Sequence, residues 1–287
     1  MTYHLPVMRQ ETDECLVSDE NGVYVDCTLG GGGHSEYILE KHGKIKLIGI
    51  DQDGDALKYS AERLKKFDGR VSLIKGNFKD IGSLVAQRVS GFLLDLGISS
   101  WQVDELNRGF SFRSQTLDMR MCSDNPVSAE TLINETPEDE LADIFYKYGE
   151  ERRSRQIAKA IAGARAKCRI TSSVVLAELV GAVKRFRGKI HPATQVFQAL
   201  RIAVNNELEN LKTALGAMPA MLCPGGRIVI MSYHSLEDRI VKQAFKNMAA
   251  ENILNIITKK VVMAQMEEQK SNPRSRSAKL RCAEKHL

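Results

Sequence analysis

Nowhere in the 287 residues does an apolar run approach the ~20 residues that a membrane-crossing helix needs. No apolar stretch follows a basic start, so neither an anchor nor a secretory leader is expected and the chain is read as cytoplasmic. Cysteine is sparse: six residues (Cys15, Cys27, Cys122, Cys168, Cys223 and Cys282) lie scattered without a C-x-x-C pair. Such spacing offers neither a zinc knuckle nor a disulfide framework, and no metal site is expected. Cys27, beside the glycines described next, is read as small buried filler rather than a nucleophile. Two phosphate-binding signatures are also missing. No G-x-x-x-x-G-K-[ST] occurs, and G-x-G-x-x-G fails in both registers of the glycine cluster, meeting Ser35 from Gly30 and Glu36 from Gly31. With 43% hydrophobic and 27% charged residues, what remains is an ordinary globular composition, long enough for an α/β core plus one further module.

What is present begins at residue 22. An apolar run from Gly22 ends in Asp26, the glycines 30–33 follow, and a helix-like segment starts at Ser35. Strand, glycine loop and helix N-terminus open a nucleotide-type α/β domain. Asp26 decides which nucleotide. A carboxylate beside the loop repels pyrophosphate, yet it suits a ligand carrying an ammonium group. S-adenosylmethionine is an adenosine ligand with no phosphate and with such an ammonium. A second strand, Lys46 to Asp51, ends in an acid 21 residues after Gly30. An acid there is placed to accept both ribose hydroxyls.

Further along, Arg70–Lys75 reads as a third strand, and Phe78 beyond it as either an adenine-facing ring or a core phenylalanine. A helix is expected from Lys79 to Arg88, then a fourth strand from Gly91 to Asp95. Alternating strands and helices imply a parallel sheet whose carboxyl ends gather Asp26, Asp51, Phe78 and Asp95. The alternation then stops, dividing the chain into 1–102, an all-helical insertion at 103–190, and 191–287. Inside the insertion, Thr136 and Pro137 open one helix that Gly149 stops, and Thr171–Ser173 cap another. Arg152, Arg155 and Lys159 fall on one face of the helix between them. Phe110, Phe112, Arg108 and Arg120 at its entrance either grip a base or simply pack. After it, a long helix is expected from Val196 to Leu215, then a turn at Pro224-Gly225-Gly226 into a fifth strand, Arg227–Ser232. A helix (Leu236–Met248) and a closing antiparallel pair (Asn252–Thr258 with Ala278–Cys282) complete the reading, with a basic loop at 272–277.

Net charge is +5, but it is segregated. Lys147 to Lys189 holds twelve Lys/Arg against three acids, and Lys270 to Leu287 six against one. Two basic surfaces on an otherwise acidic chain favour a polyanionic partner.

The motifs Asp26-x-Thr-x-Gly-x-Gly-Gly-His34-Ser, Asp95-Leu-Gly-Ile-Ser-Ser, Arg108-Gly-Phe-Ser-Phe, Leu117-Asp-Met-Arg-Met, Tyr148-Gly-Glu-Glu-Arg, His191-Pro-Ala-Thr, Ser232-Tyr-His-Ser-Leu-Glu-Asp-Arg and Asn272-Pro-Arg-Ser-Arg-Ser occur in one order over nearly the whole chain. In this the sequence resembles the bacterial small-subunit ribosomal RNA (cytosine-N4) methyltransferase H family. The resemblance implies a class I Rossmann-like S-adenosylmethionine-dependent methyltransferase with an all-helical inserted domain. It implies that Gly32, Gly33, His34, Asp51, Phe78, Asp95 and Gln102 contact the cofactor. It also implies that a cytidine in the decoding region of 16S rRNA, in the small ribosomal subunit, is the substrate. Trp101 stands where the family has proline, and the segments after Phe112 and before Asn272 are shorter than usual.

A cytosine amine is a poor nucleophile because its lone pair is delocalised into the ring, and an acceptor on its N–H localises that pair. Asp95 is assigned this role, with His234 as the competing base. The Asp95-Leu-Gly-Ile stretch lacks the prolines and aromatic of the DNA amino-methyltransferase motif, so clamping the base falls to Trp101, Phe110 or Tyr233. The target base must be unstacked, because N4 is engaged in any Watson–Crick pair. Arg108, Arg152, Arg153, Arg155, Lys159, Arg274 and Arg276 are assigned to RNA. A methyltransferase for small molecules would not need the basic insertion, and a non-catalytic RNA binder would not need Asp51 and Asp95. Monomer and dimer are equally compatible with the sequence.

Overall fold

Runs that are apolar on both faces, such as the Val89–Asp95 stretch with six successive buried residues, must pair in the middle of a covered sheet. In the computed structural model, which describes residues 6–184 and 190–286, they do. Helix α1 (Arg9–Leu16) leads into strands β1 (Val23–Asp26), β2 (Lys46–Asp51), β3 (Val71–Lys75) and β4 (Val89–Asp95), with helices α2 (Gly33–Lys41), α3 (Gly54–Leu64) and α4 (Ile81–Leu84) between them. The expected helix at 79–88 is thus a 3-10 turn at Phe78–Asp80 followed by one α-turn. Too few apolar positions recur there to extend it.

A helical unit follows, spanning Ile98–Glu207. It comprises α5 (Ser100–Asp104), α6 (Ala129–Glu135), α7 (Glu138–Gly149), α8 (Ser154–Arg165), α9 (Ser173–Lys184) and α10 (Thr194–Asn205). Its limits are wider than the 103–190 of the sequence reading because Ala193, Val196, Phe197, Leu200 and Val204 of α10 and its approach are buried in one core with Leu141, Phe145, Ile157, Ile161, Leu176 and Val180. Thr136 proves to end α6, and Pro137 alone starts α7. At the other end of α7 the left-handed residue is Glu150 (φ 51°), not Gly149. Gly149 is needed for a different reason: a Cβ there would lie 2.4 Å from the carbonyl oxygen of Gln195, so glycine lets the α10 backbone approach. Three of the twelve basic residues counted at 147–189 (Arg185, Arg187, Lys189) lie outside the described residues.

The helix foreseen from Val196 to Leu215 is two helices. Asn206 takes a left-handed conformation (φ 50°) between α10 and α11 (Glu207–Met221). Asparagine tolerates that region, and both oxygens of Glu207 bind the Arg201 guanidinium across the break, at 2.8 and 2.9 Å. The chain then completes the first unit, which joins the residues up to Gly97 with Leu208–Leu287. It adds β5 (Leu222–Ser232), α12 (Ser235–Ala250), β6 (Leu254–Ile256), β7 (Val262–Met263), α13 (Met266–Ser271) and β8 (Lys279–Lys285). Pro224-Gly225-Gly226 lies within β5 as an irregularity, where pairing with β4 shifts from Val89–Leu222 to Gly91–Arg227, rather than as a turn before it. The closing antiparallel pair is β6 with β8; the short β7 beside β8 was not anticipated.

The strand order is β3-β2-β1-β4-β5-β8-β6, parallel through β5, with β8 antiparallel. Order reverses between β1 and β4, so the crevice at their carboxyl ends is the switch point at which a doubly wound sheet binds its ligand.

Candidate active site

β1 and β4 are adjacent and in register, Asp26 opposite Leu93. Their tips therefore deliver Asp26 and Asp95 to one place, and β2 brings Asp51 beside them. Each carboxylate is held differently. Asp26 is 3% exposed, and its oxygens accept the Ser35 hydroxyl (2.7 Å) and the Thr28 N–H (3.2 Å). Burial raises its pKa, against the lowering effect of the Ser35 hydrogen bond. Asp26, expected to face a ligand's ammonium, thus has one donor of the glycine-loop region on each oxygen and braces that loop from inside.

Asp51 Oδ2 accepts the N–H of Gly30 at 2.7 Å and Oδ1 that of Asp53 at 2.8 Å. Its carboxyl is raised to about 6, chiefly by burial, with the neighbouring Asp53 and Asp26 charges adding to it and the two N–H donors opposing. Each oxygen keeps a second lone pair for a ribose hydroxyl. Asp95 is more open than Asp26, with 27% of its side chain exposed. Its own N–H donates to Thr28 Oγ1 at 2.6 Å, and its Oδ1 accepts the Tyr233 hydroxyl at 2.6 Å. Its Oδ2 lies 3.6 Å from Nε2 of His34.

Gly32 is the N-cap of α2 at φ 71°, where a side chain would be strained and a Cβ would press on Leu64 and Ser60 at 3.3 Å. Gly33 begins the helix, and His34 follows it. Both ring nitrogens of His34 are buried without a hydrogen-bond partner among the described residues. Phe78, after β3, is partly buried against the core that includes Ile50 and Ile81. Gln102 belongs to the helical unit, where it is buried and closes a reciprocal cap with Ser99 at 3.1 and 3.2 Å.

His234 is the N-cap of α12. Its Nδ1 accepts the Glu237 N–H at 3.4 Å, and Nε2 lies 3.2 Å from Glu237 Oε1. Nδ1 thus caps the helix, while Nε2 is buried without a hydrogen-bond partner among the described residues. Tyr233, weighed as a clamp on the base, instead bonds Asp95. Sequence reasoning missed that tie, although a signal existed. Met231 pairs with Asp95 across the sheet, so the side chain two residues on from Met231 falls near the β4 tip.

The residues assigned to RNA divide. Arg152, Arg155 and Lys159 are exposed, on or just before α8, while Ile157, Ala158 and Ile161 of that helix are buried. Arg153 is also exposed, but its guanidinium binds the carbonyls of Val183 and Lys184 at the end of α9 at 3.1 and 2.9 Å. Arg108 donates to the carbonyls of Arg120 and Met121 and lies 5.2 Å over the Trp101 ring. Arg276 is exposed and donates to the Gln269 carbonyl, while Arg274 is half-buried. At the entrance, Phe110 is core, and Phe112 stacks on His191 with ring centroids 4.1 Å apart. Those two rings line a cavity of about 500 Å³ with Arg113, Val174 and Glu178.

A model of the MraW methylase family matches residues 1–286. The chain is 52% identical over 287 residues to the ribosomal RNA small subunit methyltransferase H of Endomicrobium trichonymphae, covering 99% of each. To the protein of that name from Coprothermobacter proteolyticus it is 48% identical over 289 residues, covering 98% of this chain and 96% of the other. Among solved structures it is similar to a putative rRNA-methylase from Clostridium thermocellum, with 13% identity, a TM-score of 0.47, and coverage of 96% and 94%.

Proposed function

The chain belongs to the MraW methylase family, and from that premise we propose that it methylates the N4 amine of a cytidine in the decoding region of small-subunit (16S) ribosomal RNA, with S-adenosylmethionine as donor. The names borne by relatives at 48–52% identity support the ribosomal substrate. The observation that carries the reaction type is the Asp95 carboxylate. It stands at the sheet's switch point, with one oxygen pinned by Tyr233 and the other 3.6 Å from Nε2 of His34.

The residues fit the donor. Asp51 has lone pairs to spare for a ribose, the loop around Gly32 lets backbone approach, and His34 has two buried nitrogens without partners among the described residues. The three carboxylates Asp26, Asp51 and Asp95 at the ends of β1, β2 and β4 suit a sulfonium and an ammonium, and oppose a phosphate. When bound, S-adenosylmethionine supplies an electrophilic methyl on positively charged sulfur. Asp95 Oδ2 accepts an N–H of the cytosine amine, which localises the nitrogen lone pair. That pair forms the new N–C bond as the C–S bond breaks, its electrons staying on sulfur. The surplus amine proton leaves through Asp95 to water. Positive charge developing on nitrogen is stabilised by the same carboxylate. The exposed Arg152, Arg155 and Lys159 hold the backbone of an unstacked strand.

Mass spectrometry of 16S rRNA nucleosides from cells with and without the protein tests the reading. N4-methylated cytidine should vanish with the protein and return on its re-expression. An unchanged nucleoside profile would refute it.

A further inference from the structure

We propose that Tyr233 is a positioning residue for methyl transfer, its hydroxyl fixing Oδ1 of Asp95 so that Oδ2 alone is turned toward the substrate amine. The inference rests on the reading of Asp95 as the acceptor of that amine. A free aspartate can rotate about χ2 and offer either oxygen, and a mobile acceptor loses the advantage of preorganisation. Here the main chain and the carboxylate are each held once. The backbone N–H of Asp95 is tied to Thr28 Oγ1, which fixes the strand end, and Oδ1 to Tyr233, which opposes rotation of the carboxylate, both at 2.6 Å. Tyr233 is itself anchored, because its N–H donates to Glu237 Oε2 at 2.9 Å and its ring packs against the core containing Met231 and Leu280. What remains near Oδ2 is His34, 3.6 Å away and beyond hydrogen-bonding distance.

The direction of the Tyr233 bond is permanent. Burial, together with the Asp95 charge, holds the phenol well above its ordinary range, so it donates its proton throughout the working pH range. A permanent donor on Oδ1 occupies one of its lone pairs and leaves Oδ2 the freer acceptor for the amine. Glu237 and Glu268 are the other charged groups acting on Tyr233, and both are acids that oppose its ionisation further.

Tyr233→Phe removes the hydroxyl and keeps the ring. Measured on unmodified small ribosomal subunits with saturating donor, kcat should fall roughly 10- to 100-fold, with the KM for S-adenosylmethionine nearly unchanged. A purely structural tyrosine would instead change the KM for the donor and the melting temperature along with kcat. Incorporating 3,5-difluorotyrosine at 233 keeps the ring and a hydroxyl donor, and should restore kcat to the wild-type level. This second variant decides the matter if the phenylalanine protein fails to fold. Asp95→Asn separates the two claims. If it stays near full activity, the acceptor reading itself fails. If it is inactive while Tyr233→Phe keeps wild-type kcat, only the positioning role is overturned. In the Asp95→Asn background the Tyr233→Phe change should cost nothing further, since residues acting as a unit are not additive.

Discussion

Oδ2 of Asp51 accepts the N–H of Gly30 at 2.7 Å, so the tip of β2 holds the glycine loop that leaves β1. One carboxylate thereby shapes the loop and offers its remaining lone pairs outward. Its partial burial has a measurable cost.

That cost appears as pH dependence. Asp51 is raised from 3.8 to about 6, so between those values the folded protein holds a proton that the unfolded chain has lost. Its contribution is therefore favourable at low pH and is lost as pH rises through about 6. A shift of about 2 units corresponds to roughly 3 kcal/mol. Relative to Asp51→Asn, the ligand-free wild type should gain stability as pH is lowered from 8 to about 4.5, as measured by urea unfolding. A difference between the two that is flat with pH would contradict the assignment.

Asp95→Asn should lower kcat by about 100-fold or more, a loss typical of a general base or acceptor. Equilibrium binding of S-adenosylmethionine should weaken by much less than kcat falls. Calorimetry beside labelled-methyl transfer checks both. Loss of binding in proportion to turnover would make Asp95 a cofactor ligand only.

Charge reversal distinguishes the arginines. Arg155→Glu combined with Lys159→Glu should weaken binding to the rRNA and reduce the salt slope by about two, leaving thermal stability alone. Arg153→Ala and Arg108→Ala should instead lower the melting temperature, because their guanidinium groups hold carbonyls at the end of α9 and in the 120–121 segment. Filter binding across a salt series, beside thermal melts, reads both.

Asn205→Ala should destabilise the helical unit by about 3 kcal/mol, since it orphans buried backbone groups. The Asn205 amide accepts the Met121 N–H at 2.7 Å and donates to the carbonyls of Met119 and Arg201 at 2.8 and 2.9 Å. Urea unfolding of the full chain measures the loss, and a change below about 1 kcal/mol would show that water replaces those bonds.

The strand–glycine–helix opening, the acids at the strand ends, the parallel order and the basic α8 face are legible in the residues themselves. Periodicity, glycine and capping act over a few neighbouring positions, where the chain's own covalent connectivity sets the geometry. Where Asp51 and Asp95 point is not local. Asp51 meets the glycine loop because β1 and β2 are neighbours, and Asp95 meets Tyr233 only because β4 and β5 are. The break at Asn206 and the wider helical unit depend likewise on what packs against α10. Sequence alone thus determined which groups reach the ends of the sheet. Tertiary structure decided which of their atoms are left for a ligand, since that depends on partners many residues away.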